Sequence, residues 1–337
     1  MKVTVPVREN SRDSLFGRVR MGYVLAESRK LAEWQRFVTE GLGLHADIAQ
    51  PGVLACRLDA HARRLIVRDG DAEDVIAIGW QLDDEAALQL ALKRLGQRGL
   101  DVQEGGASDA AVRGVVRFWS VKGPKGLKVE MFTDAVLDSK PLRMKVSGIV
   151  TGQAGMGHVA ITTRRPEAMQ AFWKGVFDAR LSDEIEERID GIDLELTFLR
   201  LNERHHSLAT ASTRGVRINP LRTQIHHLNL QCASLEDVVQ GYLRCRELGY
   251  SIANSIGQHP NDRELSFYVA SPSGFELELG WNPIVVDEKG WSPCVYKGMS
   301  LWGHRPENMT VGARLRRFRQ GLMSLTRNEF VVPGELS

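Results

Sequence analysis

Nine histidines are spread over the 337 residues, and six of them fall between positions 158 and 259. Two of these, His158 and His227, together with Glu278 further along, are the residues whose types and spacing could do chemistry. Each falls in its own strand-like segment. Two imidazoles and one carboxylate on one side of a metal leave the opposite positions open, an arrangement suited to non-haem Fe(II) and oxygen chemistry. A lone histidine on an apolar strand is more often a satisfied structural residue, so the set has to be argued together. His226 competes with His227, but side chains alternate along a strand, so only one of them faces a common centre. Setting Met156-Gly157-His158-Val159-Ala160-Ile161 beside Ile225-His226-His227-Leu228-Asn229-Leu230 selects His227 and leaves His226 outward. Glu276 and Glu278 share a face, being two residues apart. Glu278, farther past the turn, is preferred.

The elements that must carry these residues repeat along the chain. Met21-Gly22-Tyr23-Val24-Leu25 matches Met156-Gly157-His158-Val159-Ala160, and each opens a short apolar strand followed by a helical stretch. In the later copy Met169, Phe172, Trp173 and Val176 recur at helical spacing. In the earlier one Leu31, Trp34, Phe37 and Leu42 fit more loosely. Leu88 to Gly99 pairs with Val238 to Gly249. Ser234 is placed to cap the latter helix, with Asp237 three residues on, and Leu235, Val238, Val239, Tyr242 and Cys245 predict its buried face. Each such helix is followed by a strand, a Pro/Gly turn and an alternating strand. Within this frame Tyr23 stands opposite His158, Ala77 opposite His227, Arg64 opposite His206 and Glu130 opposite Glu278. The first half keeps the frame and loses the imidazoles, which predicts one site per chain, in the second half.

Expected boundaries follow: an N-terminal extension over 1–15, a first half over 16–135 without a metal site, a linker over 136–151, a catalytic half over 152–290 and a tail over 291–337. In the tail, Leu315, Phe318, Leu322 and Leu325 line one side of a helix rich in arginine (Arg314, Arg316, Arg317, Arg319), which reads as a packing or oligomer element. Lys and Arg number 44 against 42 Asp and Glu, a net charge of +2. That balance argues against nucleic-acid binding driven by bulk charge. No run of about 18 apolar residues predicts a membrane span, and the first residues lack the apolar core of a secretory signal. The four cysteines have neither zinc nor redox spacing, so reduced thiols in a cytoplasmic protein are expected.

The segment from Ser266 through Tyr268, Pro272 and Gly274 to Glu278 resembles the signature of the type I extradiol dioxygenases, in the vicinal oxygen chelate superfamily. The resemblance extends to Asn202-Glu203-Arg204-His205-His206-Ser207-Leu208-Ala209, to Ile225-His226-His227 and to Gly257-Gln258-His259-Pro260-Asn261-Asp262. It covers roughly 16–290. It implies an α+β vicinal oxygen chelate fold: two halves, each of paired βαβββ modules forming open barrels. By that resemblance His158, His227 and Glu278 hold Fe(II), or Mn(II), which suits the same ligands. His206 matches the acid–base histidine, Tyr268 the active-site tyrosine, and His259 and Asp262 the residues that hold the substrate hydroxyl and the tyrosine. His205 reads as a structural neighbour of His206. His45, His61 and His304 receive no role.

The implied reaction is cleavage by O2 of a substituted or bicyclic catechol beside its diol, giving a ring-opened hydroxy-dienoate or semialdehyde product in aromatic-compound degradation. Ile192, Leu194 and Phe198 are candidate pocket residues. The implied partners are a catecholic small molecule and O2, within a homo-oligomer, with neither nucleic acid nor membrane. Two readings compete. A metal-dependent isomerase or lyase of the same superfamily would need a fourth protein ligand. A non-catalytic protein that binds a small aromatic would tolerate loss of the metal ligands and of His206.

Overall fold

A computed structural model describes residues 13–189, 191–307, 311–326 and 328–333, without the side chains of 311–314 and 316–318. Its strands and helices form four copies of one βαβββ unit. The first is β1 (Val19–Glu27), α1 (Leu31–Arg36), β2 (His45–Gln50), β3 (Val53–Arg57) and β4 (Leu65–Arg68). The second is β5 (Asp74–Leu82), α2 (Glu85–Gln97), β6 (Gln103–Glu104), an added helix α3 (Ala107–Arg113), β7 (Trp119–Lys122) and β8 (Lys128–Phe132). The third is β9 (Val159–Thr162), α4 (Pro166–Phe177), β10 (Arg180–Ile189), β11 (Ile192–Arg200) and β12 (Leu208–Thr213). The fourth is β13 (His227–Gln231), α5 (Leu235–Glu247), β14 (Ile252–Gln258), β15 (Leu265–Ala270) and β16 (Glu276–Trp281), after which come β17 (Val295–Lys297) and α6 (Val311–Ser324).

The two sheets share one topology. The first runs β2-β3-β4-β1-β5-β8-β7-β6, and the second runs β10-β11-β12-β9-β13-β16-β15-β14 with β17 added beside β10. In both, the two central strands are antiparallel to each other and each pairs in parallel with the last strand of its own unit. The α+β fold of two curled half-barrels expected from the sequence is therefore present.

Alternation along the strands explains the layering. On β1, Val24 and Ala26 join the large core shared with the helices, while Tyr23 and Leu25 join a separate cluster with Ala77 and Phe132 on the inner face. The large core joins the halves: the Trp80 and Trp173 rings lie 4.9 Å apart, and Trp34 Nε1 donates to Ser273 Oγ at 3.0 Å. Residues 136–151 are not a loose tether, because Val146 and Ile149 are buried in that same core.

Local signals explain most elements. Ser234 Oγ accepts from the Asp237 amide at 3.2 Å and caps α5, a bond worth about 1 kcal/mol. Asp84 caps α2 in the same way, at 2.8 Å from the Ala87 amide. Met169, Phe172, Trp173 and Val176 are all buried on α4. The looser pattern in the first copy has a cause: α1 lasts six residues and continues as a π-turn over Phe37–Gly41, which rotates the later apolar positions off a 3.6-residue period. Leu235, expected on the buried face of α5, is exposed because it sits in the first turn. Leu315 and Leu322 on α6 and Leu325 just after it are also exposed, and among the residues of this helix with described side chains Gly321 and Ser324 are the buried ones. The side chains of Arg314, Arg316, Arg317 and Phe318 lie outside the described residues. No helix among the described residues is long and apolar enough to cross a membrane.

Candidate metal centre

The centre of the second sheet collects donors from three strands. His158 immediately precedes β9, where its carbonyl accepts from the Asn229 amide at 2.9 Å. Gly157 before it takes φ +53°, and a Cβ there would overlap the Asn229 carbonyl, so only glycine lets β9 lie this close to β13. His227 begins β13, and Glu278 lies opposite Asn229 in the β13–β16 register. The consequence is a tight triangle: His158 Nε2 to His227 Nε2 is 3.2 Å, His158 Nε2 to Glu278 Oε2 is 3.2 Å, and His227 Nε2 to Glu278 Oε2 is 3.4 Å.

Such a triangle tests whether a cation fits. Donors about 2.1 Å from one ion and roughly 90–110° apart must lie roughly 3.0–3.4 Å from one another, as these do. Burial drives His227 well below its ordinary pKa, so its ring is a neutral donor. Burial pushes Glu278 up, but the imidazoles of His158, His259 and His227 outweigh it and hold the carboxyl well below the usual range. Glu278 is 1% exposed, yet neither of its oxygens has a well-formed hydrogen bond among the described residues. His259 Nε2, 3.4 Å from Glu278 Oε1, offsets part of the several kcal/mol that burying this carboxylate costs, and a divalent ion between these donors would offset more. His226, 32% exposed at its side chain, contacts His227 Nδ1 through its own Nδ1 at 2.9 Å and so orients the ring. Glu276 faces His226 at 3.7 Å, away from the triangle.

The remaining predicted residues surround this triangle. The His206 ring lies 3.9 Å from the His158 ring and is driven well below its ordinary pKa, first by burial and then by the neighbouring His158 and His205. The Tyr268 ring stands 5.1 Å from His227; burial and the Glu278 charge keep its phenol protonated. His259 Nε2 meets Tyr268 Oη at 2.7 Å, and its Nδ1 donates to the Met299 carbonyl at 2.8 Å. Burial lowers His259, but Glu278 and Asp262 carry it up to about 9. Asp262 faces the acid–base candidate: its Oδ2 is 3.8 Å from His206 Nδ1.

A family model described as the glyoxalase/bleomycin resistance protein/dioxygenase superfamily matches residues 155–279, and one described as dihydroxybiphenyl dioxygenase BphC D1 matches 21–70. The chain is 34% identical to biphenyl-2,3-diol 1,2-dioxygenase of Paraburkholderia xenovorans, over 87% of this chain and 97% of the relative. The chain belongs to the extradiol dioxygenases of this superfamily. It is also similar to an iron-dependent extradiol dioxygenase of Rhodococcus jostii, at 28% identity over 84% of this chain and 96% of the relative. Among solved structures, that of BphC, a halotolerant catechol dioxygenase, matches with TM-score 0.78 and 30% identity over 87% of this chain and 96% of that one.

Against this extradiol dioxygenase frame, the strand register corrects one sequence match. Val24 and Val159 occupy equivalent places and receive the carbonyls of Arg64 and Ser207 respectively. Arg63, not Arg64, therefore stands at the position of His206. Sequence reasoning also missed residues that the tail brings in. The His304 ring packs 4.3 Å from His259, and Tyr296 and Met299 pack against Ala160, Ile185, Phe198 and Ala209 inside the second half-barrel. Of the expected pocket residues, Phe198 lies there, edge-on to His206 at 4.9 Å. Ile192 does not: it opens β11 at the far end of the β10–β11 hairpin and is exposed.

Proposed function

We propose that this protein opens the ring of a catechol-type diol beside its two hydroxyls, using dioxygen and a ferrous ion held by His158, His227 and Glu278. Manganese(II) suits the same donors. The observation that carries the reading is the buried triangle of two imidazoles and a carboxylate, with His206 against one imidazole and Tyr268 against the other. A bound ferrous ion supplies open positions for diol and dioxygen and lowers the cost of ionising the diol.

The chain's own residues do the rest. His206, kept neutral by burial, accepts a proton from a diol hydroxyl at a ring nitrogen and returns it to oxygen as the ring opens, which makes it the general base and then the general acid. Tyr268, a protonated phenol, donates a hydrogen bond to the ionised diol oxygen, and His259 fixes the phenol from behind. Phe198, Ala160, Ile185 and Ala209 give the diol's ring an apolar, water-poor place to lie. Both atoms of dioxygen end in a ring-opened hydroxy-dienoate or semialdehyde product. The substrate is a substituted or bicyclic catechol. The acting half is 152–290 with its strand from the tail, the first half over 16–135 carries no metal, and the protein works as a cytoplasmic homo-oligomer.

The isomerase or lyase reading needs a fourth protein ligand, and three residues converge on this centre among the described residues. Protein reconstituted anaerobically with ferrous salt and given a panel of substituted catechols tests the proposal. The expected result is oxygen uptake with a yellow product, in proportion to bound iron. Iron-loaded protein that turns over no diol in the panel would contradict it.

A further inference from the structure

Behind His206 lies a second chain of polar groups that the proposed reaction leaves unused. His205 is 1% exposed and Asp183 fully buried. His205 Nε2 is 2.8 Å from Asp183 Oδ2, and His205 Nδ1 is 3.1 Å from His206 Nδ1. The other carboxylate oxygen of Asp183 accepts from the Cys294 amide at 2.7 Å. A β-bulge between Leu181 and Asp183 turns this carboxylate inward. Ser182, within the bulge, donates its hydroxyl to the His205 carbonyl, and its own carbonyl accepts from Trp291 Nε1 at 2.9 Å. The Trp291 and Phe198 rings close over His205 at 5.4 and 6.1 Å. His205 is therefore more than the structural neighbour of His206 that the sequence suggests.

We infer that Asp183 and His205 form a positioning relay that sets the tautomer of His206, placing its proton on Nδ1 and its lone pair on Nε2. The inference rests on the role proposed for His206 and deepens it. The logic is one of donor counting. An ionised carboxylate only accepts, so His205 must carry its proton on Nε2. A neutral imidazole then has a bare Nδ1, which can only accept from His206 Nδ1–H. That leaves His206 Nε2 as the basic nitrogen. When this nitrogen takes the diol proton, both His206 nitrogens carry protons, and Nδ1–H continues to donate toward His205 and, through it, toward the Asp183 charge. Low local polarity strengthens each bond of the chain. Asp262 Oδ2, 3.8 Å from His206 Nδ1 and beyond hydrogen-bond distance, favours the same tautomer more weakly; without the relay His206 would also populate the other tautomer, which cannot take the diol proton at Nε2.

Asp183→Asn tests this at constant shape. The Cys294 amide still needs an acceptor, so the new amide NH2 faces His205 Nε2 and inverts every donor down the chain. The expected result is a kcat roughly 10²- to 10⁴-fold lower, the usual worth of general acid–base catalysis, with iron content and KM for the diol unchanged. His205→Leu should lose kcat similarly. His205→Gln, whose amide oxygen can accept from His206 Nδ1–H, should stay within about ten-fold of the parent. The independent readout is nitrogen-15 NMR of full-length protein loaded with diamagnetic zinc: His206 protonated at Nδ1 in the parent and at Nε2 in Asp183→Asn. His206 protonated at Nε2 in the parent would overturn the relay, as would an Asp183→Asn enzyme with unchanged kcat, or two ions per chain with His205 and His206 as ligands. Normal turnover by His206→Ala would instead remove the acid–base reading and leave the NMR result to stand alone.

Discussion

The two halves of this molecule bury a glutamate at the same place and neutralise it in opposite ways. Glu130 lies opposite Gly79 in the β5–β8 register, as Glu278 lies opposite Asn229 in the β13–β16 register. In the second half Glu278 faces imidazole nitrogens, where the proposed cation would sit. In the first half the His227 position is Ala77, and the His158 position is Tyr23, whose hydroxyl donates to Glu130 Oε2 at 2.6 Å. Arg113, from the added helix α3, completes the set: its Nε and Nη2 each reach a Glu130 oxygen at 2.6 Å. A guanidinium fork thus stands where the ion would be. The frame tolerates a buried carboxylate only with a positive partner, and under the proposed function the choice of partner, fixed arginine or exchangeable metal, is what would separate a structural half from a reactive one.

Removing a donor from each half should break that comparison most visibly. His158→Ala, His227→Ala or Glu278→Ala should reduce bound iron and turnover together to background. Elemental analysis beside an oxygen-uptake assay checks this, and a variant that keeps its iron would strike its residue from the ligand set. His206→Ala should keep the metal and lose roughly 10²- to 10⁴-fold in kcat, read by the same assay.

In the first half, Arg113→Met should leave turnover per iron unchanged but destabilise the fold by about 3–5 kcal/mol, because it strands Glu130. Pairing it with Glu130→Leu should recover most of the loss, as seen in denaturant midpoints. A smaller effect belongs to the seam between the halves. Asp74 accepts from the Gln224 amide with both oxygens, at 3.0 and 2.9 Å, and burial raises it to about 6. A raised carboxyl favours the folded state while protonated, so this stability is present below about pH 4 and is lost as pH rises through 6. From pH 4 to 7, stability relative to Asp74→Asn should fall by up to about 3 kcal/mol.

Much of this contrast is legible in the amino-acid sequence. Tyr23, Ala77 and Glu130 align with His158, His227 and Glu278 because the repeat preserves register, and register fixes which side chains face the barrel centre. The Arg113 partner is not legible there, since α3 has no counterpart in the second half for an alignment to find. Asp183 escapes because a bulge breaks the alternation that assigns strand faces. His304 escapes because it arrives on an irregular segment after the repeat ends, where neither period nor motif applies.

The most direct test is diffraction at the iron absorption edge on crystals of protein loaded anaerobically with ferrous salt. One anomalous peak per chain, between His158, His227 and Glu278, with none beside Glu130, is the predicted result. Absence of that peak, or a peak between Tyr23 and Glu130, would contradict the account.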